Sequence, residues 1–202
     1  MTRAFSDKEK ELIKNKLIEM GKELFARYGL RKTSIEDLTK AVGIAQGSYY
    51  NFFQSKEELY FEIMEQEELY MKSRLLSTHK VEESLTRESL EAFLADAFGM
   101  IDKSTFIKKM NGEDYELLVR KLPEERIAKH IETDSDILTP MITMWQKQGA
   151  VIDRKPEVIG GLLRAVFTLA LHKKEIGEDI FQEVLELLIE LIAQGIVKKE
   201  KL

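Results

Sequence analysis

Thr33 to Lys56 reads TSIEDLTKAVGIAQGSYYNFFQSK, and two short helices separated by a turn fit inside it. Thr33, Ser34, Ile35 and Glu36 have the T-x-x-E form of a capping box, in which a hydroxyl and a carboxylate satisfy free N–H groups at a helix start. Ile35, Leu38 and Val42 recur at helical spacing, and Gly43 interrupts the run as a turn between two helices does. A second helix of about two turns is expected from Ala45 to Phe52. At about 100° per residue it places Ala45, Tyr49, Phe52 and Phe53 on one side. Gln46, Gly47, Tyr50 and Asn51 fall on the other, with Ser48 at the border. The first set suits packing against preceding helices, and the second suits contact with something outside. Helix, glycine turn, and a helix with a small polar face is the pattern of a helix-turn-helix, whose second helix enters the DNA major groove.

Working outward, Ser6-Asp7-Lys8-Glu9 is another capping box and opens a long first helix with Ile13, Leu17, Met20, Leu24 and Tyr28 as its expected buried stripe. Gly29 stands where a C-terminal glycine cap belongs. Ser55-Lys56-Glu57-Glu58 is a third capping box. It starts a helix expected to run to about His79, carrying Leu59, Ile63, Tyr70 and Leu75.

Gly29, Thr33, Ile35, Ala41-Val42-Gly43-Ile44, Gly47-Ser48-Tyr49-Tyr50, Phe53 and Ser55-Lys56-Glu57-Glu58-Leu59 together resemble the TetR family of bacterial repressors, in order and in spacing. The resemblance covers residues 8–68, with the motif at 33–53. It implies an all-α homodimeric repressor with an N-terminal DNA-binding head and a C-terminal domain that binds a small molecule. It also implies that Tyr50, Lys56 and Thr33 contact phosphate. Ala45 stands where the family often has Ser, and Gln46 where it often has Lys. From the residue chemistry alone, Gln46 or Asn51 can pair with adenine N6/N7 or other base edges. Gly47 lets the backbone come close. The expected DNA-binding set is therefore Thr33, Gln46, Gly47, Ser48, Tyr50, Asn51 and Lys56. Its phosphate contacts would position the head and its base contacts would specify the sequence. A solvated helix face is the bland alternative for these polar residues. Arg3 can be read as part of an arm reaching the minor groove, or as a disordered end.

The chain has 202 residues, 44% hydrophobic and 33% charged, enough for one full core and a small satellite domain. Without Cys there is no disulfide and no thiolate metal site, which is compatible with a reducing cytoplasm. The N-terminus MTRAFSDKEKE lacks the apolar core of a signal peptide. The longest apolar stretch, Val158 to Leu171, contains Arg164 and is too short to span a bilayer. A soluble cytoplasmic protein with no membrane partner is expected. Net charge is −5, which argues against indiscriminate nucleic-acid binding. Residues 1–60 hold 11 Lys and Arg against 9 Asp and Glu, a balance of +2, and the remainder carries −7. That asymmetry favours contact with DNA through the N-terminal end only.

The expected division is a head at 1–55 and a helical ligand-binding and dimerisation domain at 56–202. Sustained period-two alternation is absent, so no strand is expected. Body helices are expected near 86–102, 104–121, 124–149, 156–173 and 177–197, about nine helices in all, with breaks around Asn111-Gly112 and from Thr133 to Asp136. The helices near 156–173 and 177–197 are apolar on more than one face, and Gly160-Gly161 would permit close helix approach. One face can pack inside the monomer. The second needs a partner, and a two-fold homodimer through a four-helix bundle supplies it.

Phe93, Phe98, Met100, Phe106, Met110, Tyr115, Met141, Met144 and Trp145 concentrate aromatic and thioether groups in the body. Ordinary core packing explains such residues. The functional reading is an adaptable pocket for an apolar effector, with Phe93, Phe98, Phe106, Met110, Tyr115, Met141, Met144 and Trp145 as its candidate lining. Arg164 reads as a snorkelling or paired side chain before an anion site. His79, His130 and His172 have no metal-ligand spacing, and no Gly-rich phosphate loop or nucleophile elbow occurs. Glu67-Glu68 and Glu124-Glu125 read as solvated helix faces. No catalytic residue, metal or cofactor is expected. The function expected is a dimeric ligand-responsive repressor of a palindromic double-stranded DNA operator, released by a small apolar effector. The alternative is a DNA-binding protein regulated by a protein partner with no small ligand.

Overall fold

A computed structural model describes residues 5–79 and 85–198. The arm read at Arg3 lies outside them. Among the described residues the chain forms nine α-helices and two 3-10 segments, with no strand beyond one antiparallel bridge between Val151 and Val197. The all-α expectation holds.

These residues fall into two compact units. The first joins the residues up to Leu69 with Ser104–Glu124, and the second joins Tyr70–Lys103 with the residues from Glu125 on. This partition does not follow the boundary expected between residues 55 and 56. The reason is apolar: Leu59, Tyr60, Phe61, Ile63 and Met64, just past that boundary, are fully buried, and the Tyr60 ring lies 4.7 Å from that of Phe106.

In the first unit, α1 (Asp7–Lys32) starts at a capping box in which Ser6 and Glu9 satisfy each other's backbone N–H. Gly29, at φ 80°, ends its regular part and Leu30 to Lys32 add a further turn. Of the expected stripe, Leu17 is fully buried and Ile13, Met20 and Leu24 are half-buried, while Gly21 and Phe25 complete the buried line. Tyr28 points to solvent, with the Arg27 guanidinium over its ring. Gly21 is where α1 and the later helix α3 (Lys56–Thr78) approach closely. A Cβ there would stand 3.1 Å from Ile63 Cδ1 and Leu59 Cδ2.

Next come α2 (Ile35–Val42), a 3-10 segment (Gln46–Asn51) and α3 (Lys56–Thr78). The capping box of α2 is one residue later than read from the sequence: Ser34 pairs with Asp37, not Thr33 with Glu36. Thr33 is still the tail of α1, with both its N–H and its hydroxyl donating to Gly29 O. Gly43 closes α2 in the left-handed conformation, φ 81°. The second motif helix is 3-10 over Gln46–Asn51 rather than two α turns. Segment 104–124 contributes a 3-10 turn (Ile107–Lys109) and α5 (Gly112–Lys121), capped by Asn111. The break at Asn111-Gly112 is as expected.

The second unit holds the rest of α3, where Tyr70 is exposed instead of buried, with α4 (Arg87–Lys103), α6 (Glu124–Lys147), α7 (Pro156–Ala170), α8 (Lys173–Ile176) and α9 (Phe181–Ile196). The break expected from Thr133 to Asp136 is absent, since α6 runs through it and through Pro140. The core of this unit collects Leu90, Phe93, Leu94 and Phe98 of α4, Met141, Ile142 and Trp145 of α6, Ile159, Leu163 and Val166 of α7, and one face of α9. Mutual removal of these side chains from water supplies the main stabilisation. Hydrogen bonds from Ile152 N to Ile196 O and from Lys198 N to Ala150 O fasten the end of α9 to the segment after α6.

Candidate nucleic-acid interface

Tyr49 anchors the outward face. It is fully buried, and its hydroxyl donates to Ser55 O at 2.9 Å. Burial pushes its phenol well above the ordinary tyrosine range, with the charges of Glu58 and Glu57 acting in the same direction. Phe53 is buried beside it, the ring centroids 6.0 Å apart. With the inner face held, Gln46, Gly47, Tyr50 and Asn51 are exposed and Ser48 is half-buried. The Tyr50 ring stands edge-on to the buried Tyr49 ring, the centroids 5.8 Å apart, so it has a fixed neighbour. A Cβ on Gly47 would meet nothing within 4 Å, which leaves the backbone there open to a partner. Ala45 is exposed rather than packed, because it precedes the 3-10 segment as its cap. Phe52 is half-buried, its ring 6.2 Å from Phe5.

Beside this face lies an open cleft of about 540 Å³, lined among others by Arg31, Lys32, Ser34, Gln46, Tyr50 and Ser55. Two helix starts border it: α2, capped by Ser34, and α3, where Ser55 Oγ accepts from Glu58 N. Unpaired N–H groups and the positive ends of the helix dipoles favour an anion at such places. The two cations before the cap, Arg31 and Lys32, were not singled out from the sequence. A basic pair just ahead of the Thr33-Ser34 helix start, in a chain of net charge −5, was the available signal.

Two expected phosphate contacts are placed differently. Thr33 is buried and its hydroxyl is committed to carbonyl oxygens of α1. Lys56 directs its ammonium inward, donating to Leu30 O at 2.7 Å, Thr33 O at 2.8 Å and Arg31 O at 3.2 Å. A cation is at its most favourable where carbonyls collect at a helix end. Lys56 therefore ties α1 to α3, and it is also among the residues that line the cleft. The remaining five members of the expected set, Gln46, Gly47, Ser48, Tyr50 and Asn51, lie together on the 3-10 segment.

The expected effector set is divided. Phe93, Phe98, Met141 and Trp145 are buried in the core of the second unit, and Met144 packs against it. The Phe98 and Phe167 rings stack at 5.0 Å. Phe106 is buried in the first unit, where Met110 and Tyr115 also sit, half-buried. Segment 104–124 folds with α1 and the start of α3, so the eight residues are shared between the two units, three in the first and five in the second. A second open groove, about 490 Å³, runs along α4 and α9 with Glu88, Glu91, Glu186 and Glu190 on its walls, and none of the eight residues lines it. Arg164 lies back along α7: its guanidinium nitrogens stand 3.7 and 3.9 Å from where a Cβ on Gly160 and Gly161 would be. Both are ordinary van der Waals distances, so a side chain at either glycine would fit beside Arg164. Among the described residues no group of three or more His, Asp or Glu could hold a metal ion. None of the described helices is long and apolar enough to cross a membrane.

Residues 17–63 match the family model described as bacterial regulatory proteins, tetR family. The HTH-type transcriptional repressor KstR2 of Rhodococcus jostii (strain RHA1) is 33% identical over 93 residues, 45% of this chain and 44% of that protein. The chain thus spans less than half the length of this curated relative in the match. Among solved structures, a TetR-family transcriptional regulator from Pectobacterium atrosepticum superposes with a TM-score of 0.74 at 20% identity, covering 98% of this chain and 100% of that one. A transcriptional regulator from Saccharomonospora viridis in complex with choline gives 0.66 at 16% identity, covering 94% and 100%. At such identities the likeness is one of fold.

Proposed function

We propose that this chain, which belongs to the tetR family of bacterial regulatory proteins through its N-terminal head, is a dimeric repressor that binds a palindromic double-stranded operator and releases it on binding a small effector. The observation that carries the reading is the outward face of the 3-10 segment. Gln46, Gly47, Tyr50 and Asn51 are presented together over a buried Tyr49, beside a cleft that gathers two helix starts and the cations Arg31 and Lys32. That geometry suits entry into a major groove, with Gln46 and Asn51 reading base edges. Tyr50, Arg31, Lys32 and the N–H groups opening α2 and α3 would hold phosphates.

Support for a repressor comes from the relative named as one, and support for a small effector from the similar structure that holds choline. The effector site of this chain is proposed in the core of the second unit, around Phe93, Phe98, Met141, Met144 and Trp145. Homodimerisation is proposed through the outer faces of α7 and α9, where Val158, Leu162, Leu187 and Leu191 remain exposed. Effector binding would favour a state in which the two heads no longer match successive major grooves, and it can shift the balance only by its differential affinity for the two states.

Selection from a random duplex library tests the DNA reading. An enriched inverted repeat with half-sites about one helical turn apart, or a multiple of it, is the expected result. No enrichment at low salt overturns it. Trp145, buried and the single tryptophan of the chain, reports on the effector. A ligand that alters its emission should bind operator-loaded protein more weakly by the same factor by which it weakens operator binding. Ligand affinity unchanged by operator rejects that ligand as inducer. Release by a protein partner alone would replace small-molecule control.

A further inference from the structure

Arg31, at the basic end of α1, lines the DNA-facing cleft. Its Nη1 lies 2.9 Å from Oε2 of Glu113, in the first turn of α5, and both side chains are more than half exposed. The backbone of residue 31 is pinned by the hydrogen bond from Lys56 Nζ to Arg31 O. The guanidinium therefore pivots about a fixed point. A carboxylate and a phosphate present the same kind of oxygen pair to the arginine fork, which binds either in the same bidentate way. While Nη1 is paired with Glu113, that end of the guanidinium is not available to a DNA strand in the cleft.

We propose that Arg31 is a DNA-phosphate contact held in reserve by Glu113, so that segment 104–124 sets how tightly the head holds duplex DNA. The inference rests on the DNA-binding reading above and adds a regulation to that site. Exposed ion pairs are weak, and phosphates carry no sequence information. The effect is therefore a few-fold change applied equally to operator and random DNA. Any event that draws the first turn of α5 away from α1 releases Arg31 and tightens the head on DNA. Any event that presses the two together does the reverse.

The test uses the full chain and a labelled random-sequence duplex long enough for two successive major grooves, titrated over a range of salt. Glu113→Gln should tighten binding about two- to five-fold and steepen the salt dependence by up to about one unit per subunit. Arg31→Ala should weaken binding and flatten that slope, and Glu113→Gln added to Arg31→Ala should change nothing further. Glu116→Gln, on the same helix and with the same change of net charge, is the control and should leave binding unaltered. Circular dichroism establishes that each variant is folded. An equal gain from Glu116→Gln, or a gain from Glu113→Gln that survives Arg31→Ala, would reduce the effect to net charge and overturn the proposal. So would an unchanged affinity for Glu113→Gln in a protein that binds DNA. Wild-type chain that binds no duplex even at low salt overturns the DNA-binding reading itself, and this inference with it.

Discussion

The ammonium of Lys56 donates to the carbonyl oxygen of Leu30 at 2.7 Å, joining the first residue of α3 to the last turn of α1. The same nitrogen serves Thr33 O and Arg31 O. The lysine expected to contact phosphate thus ties the start of α3 to the end of α1. Three carbonyls would lose a charged donor in Lys56→Ala. The expected result is a loss of about 1–3 kcal/mol of stability in urea unfolding. Where the variant is still folded, the salt dependence of its binding to random DNA should match wild type. Wild-type stability with a slope flattened by about one unit per subunit would return Lys56 to the role of phosphate contact.

Gln46 and Tyr50 separate base reading from phosphate holding. Gln46→Ala should cost about 1–3 kcal/mol on operator and little on random duplex if Gln46 makes a bidentate base contact. Tyr50→Phe keeps the ring against Tyr49 and removes only the exposed hydroxyl. It should weaken both DNAs alike. Equal losses on the two DNAs for Gln46→Ala, measured in parallel by anisotropy, would show that Gln46 reads no sequence.

Asp114 gives the first unit a pH signature. Burial raises its carboxyl above the ordinary value of 3.8, with the Arg31 charge pulling the other way. A carboxyl whose pKa is raised by folding binds its proton more readily in the native state. Its contribution is full below 3.8 and is lost as pH rises through the native value. Asp114→Asn removes that loss. Its stability relative to wild type should rise from strongly acid pH and level off toward neutrality. Asp114→Ala is the comparison, because it also removes an acceptor of the cap at Asn111. A flat difference between Asp114→Asn and wild type across the acid range would show that burial of this carboxyl is not expressed in solution.

The motif region was legible because each of its constraints is local. Gly43 must turn, Tyr49 and Phe53 must face in, and the polar residues between them must face out, whatever the rest of the chain does. What local pattern could not give was register and pairing. Thr33 and Ser34 both fit a cap, and the choice went to Ser34 because Gly29 O already holds Thr33 from behind. Lys56 looked free because its acceptors lie 23 to 26 residues earlier in the chain. Phe106 looked like part of the body because its ring partner, Tyr60, is distant in sequence. The aromatic and methionine clustering signalled burial, but burial is common to core and pocket and does not tell them apart. On α9, helical periodicity alone also left open which of two adjacent leucines faces outward.

That last ambiguity yields a sharp test of the dimer. Leu188 packs against the core of the second unit, whereas Leu187 and Leu191 are 57% and 55% exposed and share one outer face of α9. Exposed leucines at i and i+4, continued by Val184 and Ile180, form an apolar stripe that a second copy of the chain would cover. Wild-type protein at micromolar concentration should sediment at about twice the 23.4 kDa chain mass. Leu187→Glu places an unpaired charge on the stripe and should yield a folded monomer, at a cost to association of several kcal/mol. Leu188→Glu instead drives a charge into the core, so its far-ultraviolet dichroism and thermal unfolding should change whether or not the protein associates. A wild-type chain that stays at 23.4 kDa, or a Leu187→Glu variant that still sediments as a dimer, would remove α9 from the interface. The two-headed arrangement on a palindrome would then need another surface to hold it.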